Sequence, residues 1–260
     1  MSSSVAHKAA VFTLRFAVAL TCIGTAARLL MYGGPVLSFL WLELDWSEAA
    51  AVKLEYAAAY GLLACVPFVF WRPAWPVLKL VAAWLLFSAV ATTLIEPWHP
   101  ELEPAAHAAR YLAPLALAAL SMKTNPRNRR LAEWLLRAGV GATFIAHGIE
   151  ALLMRAQFID YLIGSAWTLT SYDLPEAGAR SVLLCIGLVD VVVGAAILIP
   201  RRWRALALWL AFWGLLTACI RMVYMGWGNW PETLIRVTNG AVPLTLFFLW
   251  QGESKNEQAE

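Results

Sequence analysis

Residues 144–154 read FIAHGIEALLM, an apolar helical stretch that carries His147 and Glu150 where a bilayer would ordinarily demand hydrocarbon. Three residues apart, the two share one helix face. An ionisable group without a partner at the bilayer centre costs about 2.5 to 3.5 kcal/mol on insertion scales. The stretch therefore predicts a membrane span with a functional polar face. Similar runs of about 20 residues, the length that crosses a bilayer, lie outward from it at 11–32, 52–71, 77–95, 105–122, 131–154, 180–199, 203–225 and 232–250. The runs are continuous rather than alternating, and Ala and Leu recur at helical spacing, which argues against strands. The expected fold is an all-α membrane protein with eight transmembrane helices.

Composition points the same way. The chain is 61% hydrophobic with a mean hydropathy of +0.64, whereas soluble domains sit near 45 to 50%. A formal charge of +3 is too small to imply nucleic acid as a partner, and membrane lipid is the partner expected. The opening MSSSVAHKAAVFTLR has no small-residue cleavage site, and its apolar run outlasts a signal peptide, so an uncleaved first span is predicted. Cys22, Cys65, Cys185 and Cys219 are singletons. Haem attachment, iron–sulfur clusters and structural zinc are therefore unsupported. His7, His99, His107 and His147 form no HxxxH or HxH pair, so no metal site is predicted. Phosphate loops, dinucleotide fingerprints and hydrolase elbows do not occur in a usable context.

Basic residues set the orientation. Lys8, Arg15, Arg72, Lys79, Lys123, Arg127, Arg129, Arg130, Arg137, Arg201, Arg202, Arg204 and Lys255 fall on one side of the spans. Most acids, including Glu43, Asp45, Glu48, Glu96, Glu101, Glu103, Asp160, Asp173, Glu176 and Glu232, fall on the other. The basic side is expected to be cytoplasmic, with both termini inside. Trp41, Trp46, Trp98, Trp167, Trp227 and Trp230 outside, with Trp71, Trp75, Trp134, Trp203 and Trp250 inside, read as two aromatic belts. The outer loops 33–51 and 155–179 are long and aromatic; they read as half-helices on the outer surface or dipping into the bundle.

Comparing the chain with itself exposes a repeat. RFAVALTCIGTAARLLMY (15–32) aligns without a gap over RAGVGATFIAHGIEALLM (137–154), setting Thr25 against His147 and Arg28 against Glu150. WRPAWPVLKLVAAW aligns over IPRRWRALALWLAFW, and Pro114 over Pro243. The predicted organisation is a first four-helix unit at 1–123, a basic cytoplasmic linker at 124–130, a second four-helix unit at 131–252 and a disordered tail at 253–260. An even number of helices per unit makes the repeats parallel. The equivalence of Arg28 and Glu150 suggests that they pair.

Other ionisable groups gather in the outer half of the membrane. Asp190 lies near the middle of its span, Arg221 and Tyr224 share a face of the seventh, and Glu232, Arg236 and Asn239 line the eighth. The first unit adds Arg28, Glu55, Glu103, His107 and Arg110. These groups either glue helices together and snorkel to the surface or line an outward-facing pocket. Asp190 favours the pocket, since its short side chain cannot reach water from mid-bilayer. His147, Glu150 and Asp190 are the catalytic candidates; Arg28, Glu55, His107, Arg110, Arg221, Tyr224, Arg236 and Asn239 are the ligand-binding ones.

FIAHGIEALLM, followed by LVDVVVGAAILIPRRWRALAL and an asparagine in the last helix (Asn239), resembles the DoxX-like membrane proteins. Thr25 and Ala26 replace the His-Gly in the first unit, Leu62 stands near the Asp190 position, and Ala151 sits where the family often carries lysine. The resemblance implies a multi-pass bacterial inner-membrane protein, of the group that includes the DoxD subunit of thiosulfate:quinone oxidoreductase. It implies a quinone or another amphipathic ligand in the outward pocket, with His147 or Arg221 on a carbonyl and Asp190 or Glu150 supplying protons. With no electron carrier of its own, such a subunit needs a membrane or periplasmic redox partner. The rival readings are a membrane anchor or assembly factor docking a periplasmic partner, and a small-solute transporter. The transporter is disfavoured because no span is clearly Gly/Pro-broken in both halves, despite Pro114 and Pro243.

Overall fold

The structure is a computed structural model that describes residues 3–71, 75–96, 98–122 and 125–253. Among these, every regular element is a helix. In order they are α1 (Ser3–Tyr32), α2 (Pro35–Ser38) continuing into a π-type turn (Phe39–Glu43), α3 (Glu48–Trp71), α4 (Trp75–Ile95), a 3-10 turn (Pro100–Leu102), α5 (Glu103–Ala106) and α6 (Ala108–Ser121). The second half contains α7 (Pro126–Leu152), α8 (Ala156–Thr170), α9 (Glu176–Leu198), α10 (Arg204–Met225), a 3-10 turn (Trp227–Asn229), α11 (Trp230–Ile235) and α12 (Thr238–Glu253). Arg72, Lys123, Lys255 and the tail beyond Glu253 lie outside the described residues.

Among the described residues, five helices are long and apolar enough to cross a membrane: Ser4–Tyr32, Glu48–Trp71, Trp75–Ile95, Glu176–Leu198 and Arg204–Met225. The bent pair Trp227–Ile235 and Thr238–Gln251, kinked by 42°, would make a sixth. At 14 residues, α6 is about 21 Å long, short of the bilayer's hydrocarbon thickness of about 30 Å. α7 has the length, but Arg137, His147 and Glu150 within it lower its apolarity. α8 is a half-helix of 15 residues with Ile159, Tyr161 and Ser165 buried.

Packing follows small residues. α7 lies between α6 and α9; α1 lies between α3 and α12; α4 packs on α6 and α10 on α12. A reciprocal close approach joins α7 and α9. A Cβ on Gly148 would stand 2.9 Å from Gly187 O, and one on Gly187 would stand 2.9 Å from Gly148 O. One heptad away the pair recurs, with Gly141 and Gly194 at 3.0 and 3.1 Å by the same measure. Small residues at membrane-helix crossings let backbones touch, where dispersion rather than water release drives association.

The basic ends converge. Arg15 donates to Phe70 O at 3.2 Å and Arg129 to Leu249 O at 2.8 Å. Arg137 is buried; it donates to Ile197 O at 2.9 Å, which satisfies the last turn of α9, and pairs with Glu133 at 2.9 Å. Trp250 departs from the aromatic-belt expectation. It is buried, its indole N–H donates to Glu133 at 2.9 Å, and Arg137 stacks over its ring at 4.6 Å.

The helices that carry Pro114 and Pro243 are each preceded by an interruption. His107 separates α5 from α6 with φ −99°, ψ 3°, and Arg236 ends α11 with φ −97°, ψ 0°. Each precedes its proline, Pro114 or Pro243, by the same number of residues, and each follows an acid, Glu103 or Glu232, by four. Neither break falls at a glycine or a proline. The interruption sits ahead of the proline rather than at it, because both short leading helices begin with their own proline at the N-terminus.

Candidate functional site

α7 ends at Leu152, and the chain reverses through Met154, held at φ 57°, into α8. The reversal brings the Arg155 backbone N–H onto Glu150 O at 3.1 Å and its guanidinium onto the Glu150 carboxylate. The other Glu150 oxygen stands 2.7 Å from His147 Nδ1. Glu150 is only 1% exposed, so both partners are needed to hold its charge. Arg155 also reaches Glu103 at 3.4 Å and Glu96 at 4.0 Å, and lies over the Trp98 ring at 5.1 Å. One arginine thus ties α7 to the end of α4 and to the first broken helix.

Arg28 does not pair with Glu150. Its Nε stands 2.9 Å from Glu232 Oε1, and Glu232 is also held by Arg236 one turn along. Repeat-related positions need not touch: α1 faces α11 and α12, whereas Glu150 is answered locally from the α7–α8 turn.

Two cavities meet at this point. A polar vestibule of about 570 Å³ is lined by Arg28, Glu96, Glu103, His107, Arg110, Glu150, Arg155 and Glu232, among others. An apolar chamber of about 170 Å³ lies against Phe144, Ala151, Leu162, Leu183, Ile186, Leu216 and Ile220. His147, Phe158, Tyr161, Arg221 and Arg236 line both. On the chamber wall Asp190, 6% exposed, accepts a hydrogen bond from Trp213 Nε1 at 2.9 Å. Arg221 donates to Tyr161 OH at 3.0 Å, and its guanidinium stands 5.0 Å from the Tyr161 ring centroid.

The predicted residues divide accordingly. Arg28, His107, Arg110, His147, Glu150, Arg221 and Arg236 line the vestibule; His147, Asp190, Arg221, Arg236 and Asn239 line the chamber. Glu55 does something else: it accepts from the Gly34 and Leu37 backbone N–H groups, both at 2.8 Å, and so caps α2. Tyr224 lines neither cavity and packs edge-on against Tyr161 at 5.4 Å. Sequence reading missed Arg155, Phe158, Tyr161 and Trp213. Phe158 and Tyr161 sit three apart, the spacing of one helix face, in a segment read as an outer loop.

Nδ1 of His147 is engaged by Glu150, and the ring borders both cavities. Asn239 Oδ1, Arg110 Nε and Nη2, and Arg236 Nε are buried and make no hydrogen bond within the protein. Among the described residues no group of three His, Cys, Asp or Glu could hold a metal ion. No protein-family model, no curated protein and no solved structure matches this chain.

Proposed function

We propose that the chain is a multi-pass bacterial inner-membrane protein of the DoxX-like kind that binds an amphipathic ligand, polar head in the vestibule and tail in the chamber. The observation that carries this reading is the shared wall of His147, Phe158, Tyr161, Arg221 and Arg236 between a charged cavity and an apolar one. A ligand with one polar end and one apolar end matches both cavities at once. The DoxX-like resemblance makes a quinone the first ligand to try and a redox-associated subunit the physiological setting, working with a membrane or periplasmic redox partner.

The membrane architecture belongs to the same proposal: eight spans in two parallel four-helix units, basic ends and both termini in the cytoplasm. Matched packing supports it. α1 meets α3 and α12 as α7 meets α9 and α6, and the breaks at His107 and Arg236 correspond in position and conformation.

The test is to block the chamber. Ile186→Trp fills it from the wall. Protein purified in mild detergent is expected to release a stoichiometric amphipathic molecule on solvent extraction, and the variant is expected to lose it while keeping its fold. Recovery of no such molecule, together with unchanged binding of decyl-ubiquinone and of laurate in Ile186→Trp, would overturn the reading.

The matched breaks also favour a second reading, a small-solute transporter, because interrupted helices at corresponding positions of two halves mark transport sites. Uptake of the ligand into proteoliposomes, abolished by Ile186→Trp, separates transport from static binding.

A further inference from the structure

The vestibule holds more cationic than anionic groups. Arg28, Arg110, Arg155, Arg221 and Arg236 line it against Glu96, Glu103, Glu150 and Glu232. The carboxylates are already engaged: Glu96, Glu103 and Glu150 share Arg155, and Glu232 is taken by Arg28 and Arg236. Arg221 donates to the Tyr161 hydroxyl, lies against its ring, and feels Glu232 only at longer range, with no salt bridge of its own among the described residues. Arg110, 8% exposed, keeps Nε and Nη2 buried without a hydrogen bond within the protein. It stands within electrostatic reach of three cations, Arg236, Arg221 and Arg28, and of the carboxylate of Glu232, which Arg28 and Arg236 already engage.

We infer that the head of the amphipathic ligand is an anion, a carboxylate or a phosphate, received by Arg110 and Arg221 at the mouth of the apolar chamber. A buried guanidinium with idle donors is costly, and a planar fork of N–H groups matches an oxyanion better than any neutral group. Arg221 borders both cavities, so an anion held there has its tail directed toward Leu183 and Ile186. A neutral quinone head would leave the excess charge in place. This inference rests on the amphipathic-ligand reading and adds the sign of the head.

The experiment uses the full chain in phosphatidylcholine nanodiscs, titrated with laurate, dodecyl phosphate, dodecanol, decyl-ubiquinone and inorganic phosphate against empty nanodiscs. Laurate and dodecyl phosphate are expected to bind at least about tenfold tighter than dodecanol, the scale of one charge-assisted hydrogen bond. Arg221→Gln and Arg110→Gln are each expected to collapse that ratio toward unity. Arg221→Lys is expected to retain part of it, and melting temperatures report the fold of each variant. Equal binding of laurate, dodecyl phosphate and dodecanol, or a ratio that survives both glutamine substitutions, overturns the anionic head while leaving the amphipathic pocket in place. Decyl-ubiquinone binding tighter than both anions overturns it in the same way. Inorganic phosphate binding as tightly as dodecyl phosphate overturns the amphipathic reading itself.

Discussion

Nε of Arg28 stands 2.9 Å from Oε1 of Glu232, so the C-terminal end of the first helix is tied to the last, broken one and not to the helix that carries Glu150. The Arg28 side chain is 41% exposed, which keeps the bond modest. A double-mutant cycle on Arg28→Gln and Glu232→Gln is expected to show about 1 kcal/mol of coupling, the upper range for a partly exposed pair. The cycle on Arg28 and Glu150 is expected to be additive within about 0.5 kcal/mol. Stronger coupling to Glu150 than to Glu232 would contradict the arrangement.

Arg155 serves three acids, two of them buried. Arg155→Met leaves Glu150 and Glu103 without their shared cation. The expected loss is about 3 to 5 kcal/mol of unfolding free energy, as for removal of one member of a buried ion pair. Adding Glu150→Gln to the variant should restore part of it. Denaturant unfolding in bicelles measures both, and a loss below about 1 kcal/mol would mark Arg155 as a surface pair.

The α7–α9 crossing depends on hydrogen atoms where other residues carry Cβ. Gly148→Ala would press a methyl to 2.9 Å from Gly187 O and 2.8 Å from Val191 N. It is expected to destabilise by about 1 to 3 kcal/mol, the usual range for overpacking, and toward its upper end because the backbone cannot give. Gly61→Ala meets nothing within 4 Å and should be neutral or stabilising by about 0.5 to 1 kcal/mol. Equal effects would mean that the helices are not in contact there.

Asp190 and Trp213 form an acceptor–donor pair across the chamber wall. Asp190→Asn keeps an acceptor for the indole N–H and is expected to change stability by less than about 1 kcal/mol, whereas Asp190→Leu strands it at a cost of about 1 to 3 kcal/mol. Removing both partners in Asp190→Leu with Trp213→Phe should recover most of that loss. Thermal unfolding of the three variants decides it.

Much of this was legible in the sequence. Apolar runs locate the long helices, although α1 starts at Ser3 rather than 11 and α8 lies in a segment read as an outer loop, and the polar face of 144–154 marks an element that lines both cavities. The spacing of His147 and Glu150 foretells their hydrogen bond. Spacing could not reveal Arg155, which reaches Glu150 only because the chain reverses at Met154. Glu55 was misread because capping of a short helix at Gly34 and Leu37 is a tertiary contact between segments the sequence keeps apart. The breaks at His107 and Arg236 carry no glycine and precede their prolines by two turns, so a search for Gly or Pro at the interruption passes over them.

The most direct test of an amphipathic ligand spanning the two cavities is photo-crosslinking with an alkyl probe that carries a terminal diazirine, prepared with a carboxylate head and with a quinone head. Peptide mass spectrometry is predicted to place the crosslink of at least one probe on Leu183, Ile186 or Ile220, which face the chamber. Crosslinks of both probes confined to the outward-facing Leu208, Phe212 and Val192, exposed on the helix surface, would contradict it.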